Sequence, residues 1–170
     1  NLSNITLQFH FNEDLGFAEM YLNNENIEQP IRTIEVSRLV SKIAEISEVR
    51  AKLVEQQQKM GQNKGIVMDG RDIGTVVFPN ADLKLFMTAS SETKAQRRFD
   101  ELIEKGQQVT FEEVLQNVQE RDYIDTHRED SPLVKAEDAI EIDNSHLSKK
   151  EQFEVVMELV NEVLEETSKK

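Results

Sequence analysis

Arg121, Asp125 and Arg128 are spaced so that, on a helix, they project from one face and set two guanidinium groups about one carboxylate. Arginine offers a rigid fork of donors that matches phosphate oxygens, and aspartate accepts from hydroxyl groups. The trio therefore suits a phosphate beside a ribose hydroxyl. The same spacing also fits a solvent-exposed ladder of ion pairs, which needs no ligand. Similar chemistry recurs at Asp69-Gly70-Arg71-Asp72, directly after the apolar run Ile66-Val67-Met68. A run of that kind between Gly65 and Gly70 suits a strand buried on both faces, whose last residues reach the carboxyl edge of a sheet, where ligands of open α/β folds sit. Its Asp and Gly residues read equally as turn punctuation.

Arg32, Arg50, Arg97 and Arg98 add to these guanidinium groups in a chain of 170 residues where 33 acids face 20 Lys and Arg, for a net charge of −13. Such a balance argues against a broad grip on nucleic acid or an anionic membrane, so phosphate binding must be local. Arginines kept for loops and helix starts point to a compact multi-anion such as a nucleotide. Arg97 and Arg98 fit a solvated helix face as well. The absence of cysteine removes disulfides and thiolate metal sites. His10, His127 and His146 have no ligand spacing, no G-x-S-x-G elbow occurs, and no apolar run reaches membrane-spanning length. These features lead to the expectation of a cytoplasmic protein.

The elements that must position these residues are legible from periodicity. Ile5, Leu7, Phe9 and Phe11 alternate with polar residues, and Phe17 to Leu22 form a second run, which predicts a β-meander with one wet face over residues 1–30. Thr33 can cap a helix with Ile34, Val36, Leu39, Val40 and Ile43 as its apolar side. Ser47 can cap another that stops at Gly61. These two helices make an arm over 31–62. Leu83 to Met87 and Ala139 to Asp143 read as strands, Ser90 or Ser91 opens a helix ending at Gly106, and Thr110/Glu113 and Ser148/Glu151 have capping-box spacing. Strands alternating with helices over 63–170 predict an α/β fold with a parallel sheet. The central run wants neighbours on both sides, and with three candidate strands the sheet is expected to lack a piece, most economically one before Asn1.

Ile31-Arg32-Thr33, Val40-Ser41-Lys42-Ile43-Ala44, Val49-Arg50, Met68-Asp69-Gly70-Arg71-Asp72-Ile73-Gly74-Thr75-Val76-Val77, Glu120-Arg121-Asp122 and Ser131-Pro132-Leu133 together closely resemble bacterial cytidylate kinases. The resemblance implies a P-loop kinase-like sheet flanked by helices, with the meander as a small β insert and a helical lid at about 92–128. It implies transfer of the ATP γ-phosphoryl group to CMP or dCMP with Mg²⁺, by a monomer. On the matching positions, Ser41, Arg50 and Asp72 would read the cytosine edge and Arg71 would hold the CMP phosphate. Arg121 and Asp125 would address the sugar, Arg128 would bridge toward the phosphates, and Arg97 and Arg98 would lie in the lid over ATP. Asp69 would help to order the Mg²⁺ shell.

One departure stands against the family pattern: no G-x-x-x-x-G-K-[ST] phosphate loop occurs in the chain. The family's loop would lie ahead of Asn1, so an amino-terminally truncated kinase is expected, inactive by itself, poorly soluble and weak in CMP binding. A non-catalytic nucleotide-binding module and a structural acidic protein stay open beside it.

Overall fold

The computed structural model describes residues 4–169, and of Ser41 the backbone alone. Three antiparallel strands come first: β1 (Leu7–Asn12), β2 (Phe17–Leu22) and the short β3 (Glu25–Asn26). Leu7 pairs with Leu22 and Asn12 with Phe17. The meander forms as its alternation predicts, but its apolar face is not covered. Phe9 and Phe11 are 53% and 68% exposed, because alternation specifies a strand while burial requires a second layer. The buried Glu28 ties this sheet to the turn at the foot of the first helix, accepting from the Met20 amide at 3.1 Å and from Arg32 Nε and Nη2 at 2.9 and 2.6 Å.

Two helices make the arm, α1 (Ile34–Ala44) and α2 (Ser47–Met60). Thr33 caps α1 as expected, its Oγ1 accepting from the Val36 amide. The packed side of α1 differs from the expected stripe. Ile34 and Ser37 are buried, whereas Val36, Leu39, Val40 and Ile43 stay exposed, because α1 meets its neighbour through the face that Ile34 begins. Ser47 is not a cap either: Ile46 occupies that position without a side-chain acceptor, and the Ser47 hydroxyl donates to Asp130. The helix stops at Gly61, where the Phe78 ring lies so close that a Cβ would collide with it.

The expected central strand is corrected by the structure. Residues 64–69 are irregular, Lys64 and Gly65 take left-handed φ values of 57° and 64°, and Val67 is fully exposed. A strand exists only as part of a hydrogen-bonded ladder, and among the described residues none pairs with Ile66 to Met68. The chain then closes into a π-turn over Ile73–Val77. The Asp72 carbonyl accepts from the Val76 amide at 2.9 Å and from the Thr75 and Val77 amides at 3.3 Å, and Gln58 Nε2 of α2 donates to the Val77 carbonyl.

Next comes a parallel pair, β4 (Leu85–Thr88) and β5 (Ile140–Asp143), in register from Leu85 with Ile140 to Thr88 with Asp143. The expected parallel sheet is thus present as two strands among the described residues. Between them run α3 (Ser91–Glu104) and α4 (Phe111–His127). Ser90 caps α3, and Gly106 at φ 73° ends it in a Schellman motif, with Gln107 N on Leu102 O and Gly106 N on Ile103 O, both at 2.9 Å. Thr110 and Glu113 form a complete capping box on α4, and Ser148 and Glu151 form another on the last helix, α5 (Lys149–Ser168). Ile34, Ala95, Leu102 and Val114 make the core cluster, with Phe99 and Phe111 meeting edge to face at 6.1 Å. The stripe of α4 that begins with Phe111 and Val114 therefore faces inward, and Arg121 and Asp125 continue it.

Candidate functional site

The π-turn places Asp72 in the interior, 5% exposed, with its carbonyl committed to the turn and its carboxylate turned to α2. There it forms an ion pair with Arg50, whose side chain is 11% exposed. Asp72 Oδ2 is engaged by that ion pair, whereas Arg50 Nε is buried without a hydrogen-bond partner among the described residues. Buried polar atoms without partners are uncommon in folded proteins, and ligand sites are one place where they persist. Here a donor of the guanidinium that pairs with Asp72 is in that condition.

Arg71, one residue earlier, points the other way. Its Nε donates to Asp125 Oδ2 at 2.8 Å, and the second oxygen of Asp125 accepts from Arg128 Nη1 at 3.3 Å. Asp125 and Arg128 are 2% and 6% exposed, while the Arg71 side chain remains 41% exposed. The solvated-ladder alternative for α4 is therefore corrected: the carboxylate and one of its two guanidinium partners are interior. Arg128 does not continue the helix. It is the C-cap residue at ψ 148°, and its Nε and Nη2 return to the Ser131 carbonyl at 2.9 and 2.7 Å. Arg121, one turn before Asp125, donates from Nη1 to Ser37 Oγ at 2.9 Å, and its buried Nε has no hydrogen-bond partner among the described residues.

Four guanidinium groups, from Arg50, Arg71, Arg121 and Arg128, share this region with the carboxylates of Asp72 and Asp125. Burial lowers the pKa of Arg121, and the charge of Arg71 lowers it further. Burial and then Arg50 do the same to Arg128. Both groups remain cationic, because arginine starts far above neutrality. The shifts report cations stripped of water and crowded by like charge, a setting that an anion relieves.

Of the remaining sequence candidates, Asp69 lies exposed at the entrance to the same loop. The side chain of Ser41 lies outside the described residues. Arg98 lies close enough to Arg121 for its charge to help lower the pKa of that group, but both Arg97 and Arg98 are engaged with other partners. Arg97 donates to the Asn144 side chain and carbonyl and to the Leu147 carbonyl, and Arg98 binds Glu101 and the Arg32 carbonyl. His10 packs at a tilt against Tyr21, and His127 stacks on Tyr123. Sequence reasoning missed Ser37, Asn117 and Ser131. Asn117 carried a signal, a polar residue one turn before Arg121 on the inward stripe of α4.

A mixed α/β chain with a parallel strand pair, joined through helices that present dehydrated arginines, is consistent with a P-loop kinase-like fold. Residues 2–162 match the family described as cytidylate kinase, and the chain belongs to that family. It is 75% identical over 163 residues to the cytidylate kinase of Flavobacterium johnsoniae, covering 96% of this chain and 71% of that protein. Identity to the cytidylate kinase of Bacteroides thetaiotaomicron is 54% over 165 residues, with 97% and 72% covered. For that of Porphyromonas gingivalis it is 51% over 163 residues, with 95% and 71% covered.

Proposed function

We propose that this chain carries the acceptor site of an ATP-dependent nucleoside monophosphate kinase in which CMP or dCMP receives the γ-phosphoryl group of ATP, giving CDP or dCDP and ADP. Family membership favours this reading over a non-catalytic module, and the buried pair of Arg50 and Asp72 carries it. Cytosine offers an exocyclic amine that needs an acceptor, and a ring nitrogen and carbonyl that need donors. Asp72 supplies the first and Arg50 the others, with Ser41 as a third contact. Arg71 takes the CMP phosphate, Arg121 and Asp125 the sugar, and Arg128 the region between the phosphates. Phosphoryl transfer asks the protein mainly for alignment and charge neutralisation, which Arg71, Arg121 and Arg128 are suited to give.

Among the described residues no three carboxylates or imidazoles gather into a metal cage. That suits Mg²⁺, which binds through one or two carboxylates together with substrate phosphates and water. Asp69 is the carboxylate available for such an ion, whose charge would offset that of the phosphates. The division into β insert (1–30), arm (31–62) and core with a lid at 92–128, with Arg97 and Arg98 turned toward ATP, belongs to the same proposal, as do a monomeric state and a cytoplasmic setting. Among the described residues no helix is long and apolar enough to cross a membrane.

Calorimetric titration with CMP and UMP tests the base assignment. Asp72→Asn should narrow the preference for CMP by about 1 to 3 kcal/mol, because an amide can donate to the uracil carbonyl where a carboxylate repels it. An unchanged CMP to UMP ratio removes Asp72 from the base pocket.

A further inference from the structure

Ser37 is an interior hydroxyl, 6% exposed, on the side of α1 that meets α4. Its oxygen lies 2.9 Å from Arg121 Nη1 and 2.8 Å from Asn117 Oδ1. Arginine can only donate, so Ser37 must accept from Arg121, and its single proton is left for Asn117. Asn117 is itself 5% exposed and stands one helical turn before Arg121, on the same face of α4. The two bonds therefore run in one direction, from guanidinium to hydroxyl to amide oxygen, and join residues 84 positions apart in the chain. At the other end of the guanidinium, Arg121 Nε is buried and has no hydrogen-bond partner among the described residues.

We propose that Ser37 and Asn117 are positioning residues for Arg121: they hold one of its terminal nitrogens so that the remaining donors are presented to the nucleotide. The inference rests on the placement of Arg121 in the acceptor site. A long side chain with several rotatable bonds loses orientation entropy when it binds, and a bond already made in the free protein removes part of that loss. Desolvation acts in the same direction, since the guanidinium, its Nε buried, is partly deprived of water before the ligand arrives and its charge is less screened there. Because Ser37 belongs to α1 and Arg121 to α4, the bond also links the arm that carries Arg50 to the helix that carries Asp125.

A double-mutant cycle on CMP affinity tests this, read by titration calorimetry with thermal melts as the control for folding. Ser37→Ala should weaken CMP binding about five- to tenfold, the loss typical of one net hydrogen bond. Ser37→Thr, which keeps the hydroxyl, should recover most of it. In an Arg121→Ala background, Ser37→Ala should have no further effect on affinity, because nothing remains to be positioned. A full additional loss in that background, or undiminished binding in Ser37→Ala alone, overturns the positioning role. If Arg121→Ala by itself leaves CMP affinity unchanged, the placement of Arg121 in the acceptor site fails first. Asn117→Ala should reproduce a smaller part of the Ser37→Ala effect, since it releases the hydroxyl to rotate, and no effect from it overturns the role of Asn117.

Discussion

Asp125 sits between Arg71 and Arg128 with its side chain 4% exposed. From spacing alone, its loss is expected to cost stability no more than exposed ion pairs permit, about 1 kcal/mol. Burial changes that expectation, since removing this partner leaves Arg128 charged and interior without the carboxylate its Nη1 contacts. Asp125→Ala should lower unfolding free energy by about 3 to 5 kcal/mol in urea titrations, and a loss below 1 kcal/mol would show that water reaches the pair. The spacing of Arg121, Asp125 and Arg128 was legible because a helix fixes which residues share a face. Their burial was not. Arg128 leaves the helix and turns back to the Ser131 carbonyl, a choice made by a segment beginning at Ser131, whose left-handed φ of 52° carries no reliable sequence signal.

Local chemistry at helix ends was the most legible part of the fold, because a cap needs only residues three apart. Thr110 and Glu113 on α4, and Ser148 and Glu151 on α5, form the reciprocal bonds their spacing predicts. Hydrogen bonding by the Thr110 amide holds the pKa of Glu113 below its ordinary value of 4.5. The Ser148 hydroxyl does the same for Glu151. A carboxylate whose pKa is depressed on folding lends stability in full above 4.5 and loses it as the pH falls through the depressed value. Glutamine can make the same bond without titrating. The gap in melting temperature between the protein and its Glu113→Gln, Glu151→Gln variant should therefore shrink on acidification from pH 7 to below 4.5. A gap that does not change with pH would mean that the ionised form gains nothing from the cap. By contrast, Ile66 to Met68 and the apolar stripe of α1 misled because their fate depends on which surface lies opposite. Periodicity reports that a face is apolar, and it cannot name the partner.

At the scale of the molecule, the parallel pair, the helices between its strands and the antiparallel meander followed from the order of periodic segments, whereas the π-turn at Ile73–Val77 did not. One residue beyond the regular repeat has no periodic signature, yet it is what turns Asp72 inward toward Arg50. The four arginines around Asp72 and Asp125 form a small positive island in a chain of net charge −13. A nucleotide dianion approaching from bulk water meets the acidic whole long before it meets the island. Added salt screens that distant repulsion, and it also weakens the short contacts that hold the ligand once it has arrived. Association and dissociation should then both accelerate with ionic strength, in contrast to electrostatically steered pairs, whose capture slows. Stopped-flow measurements of CMP binding between 20 and 300 mM salt, about a fourfold range of screening length, would resolve the two rates. Capture that slows as salt is added would mean that the field at the mouth of the site is set by the arginines alone.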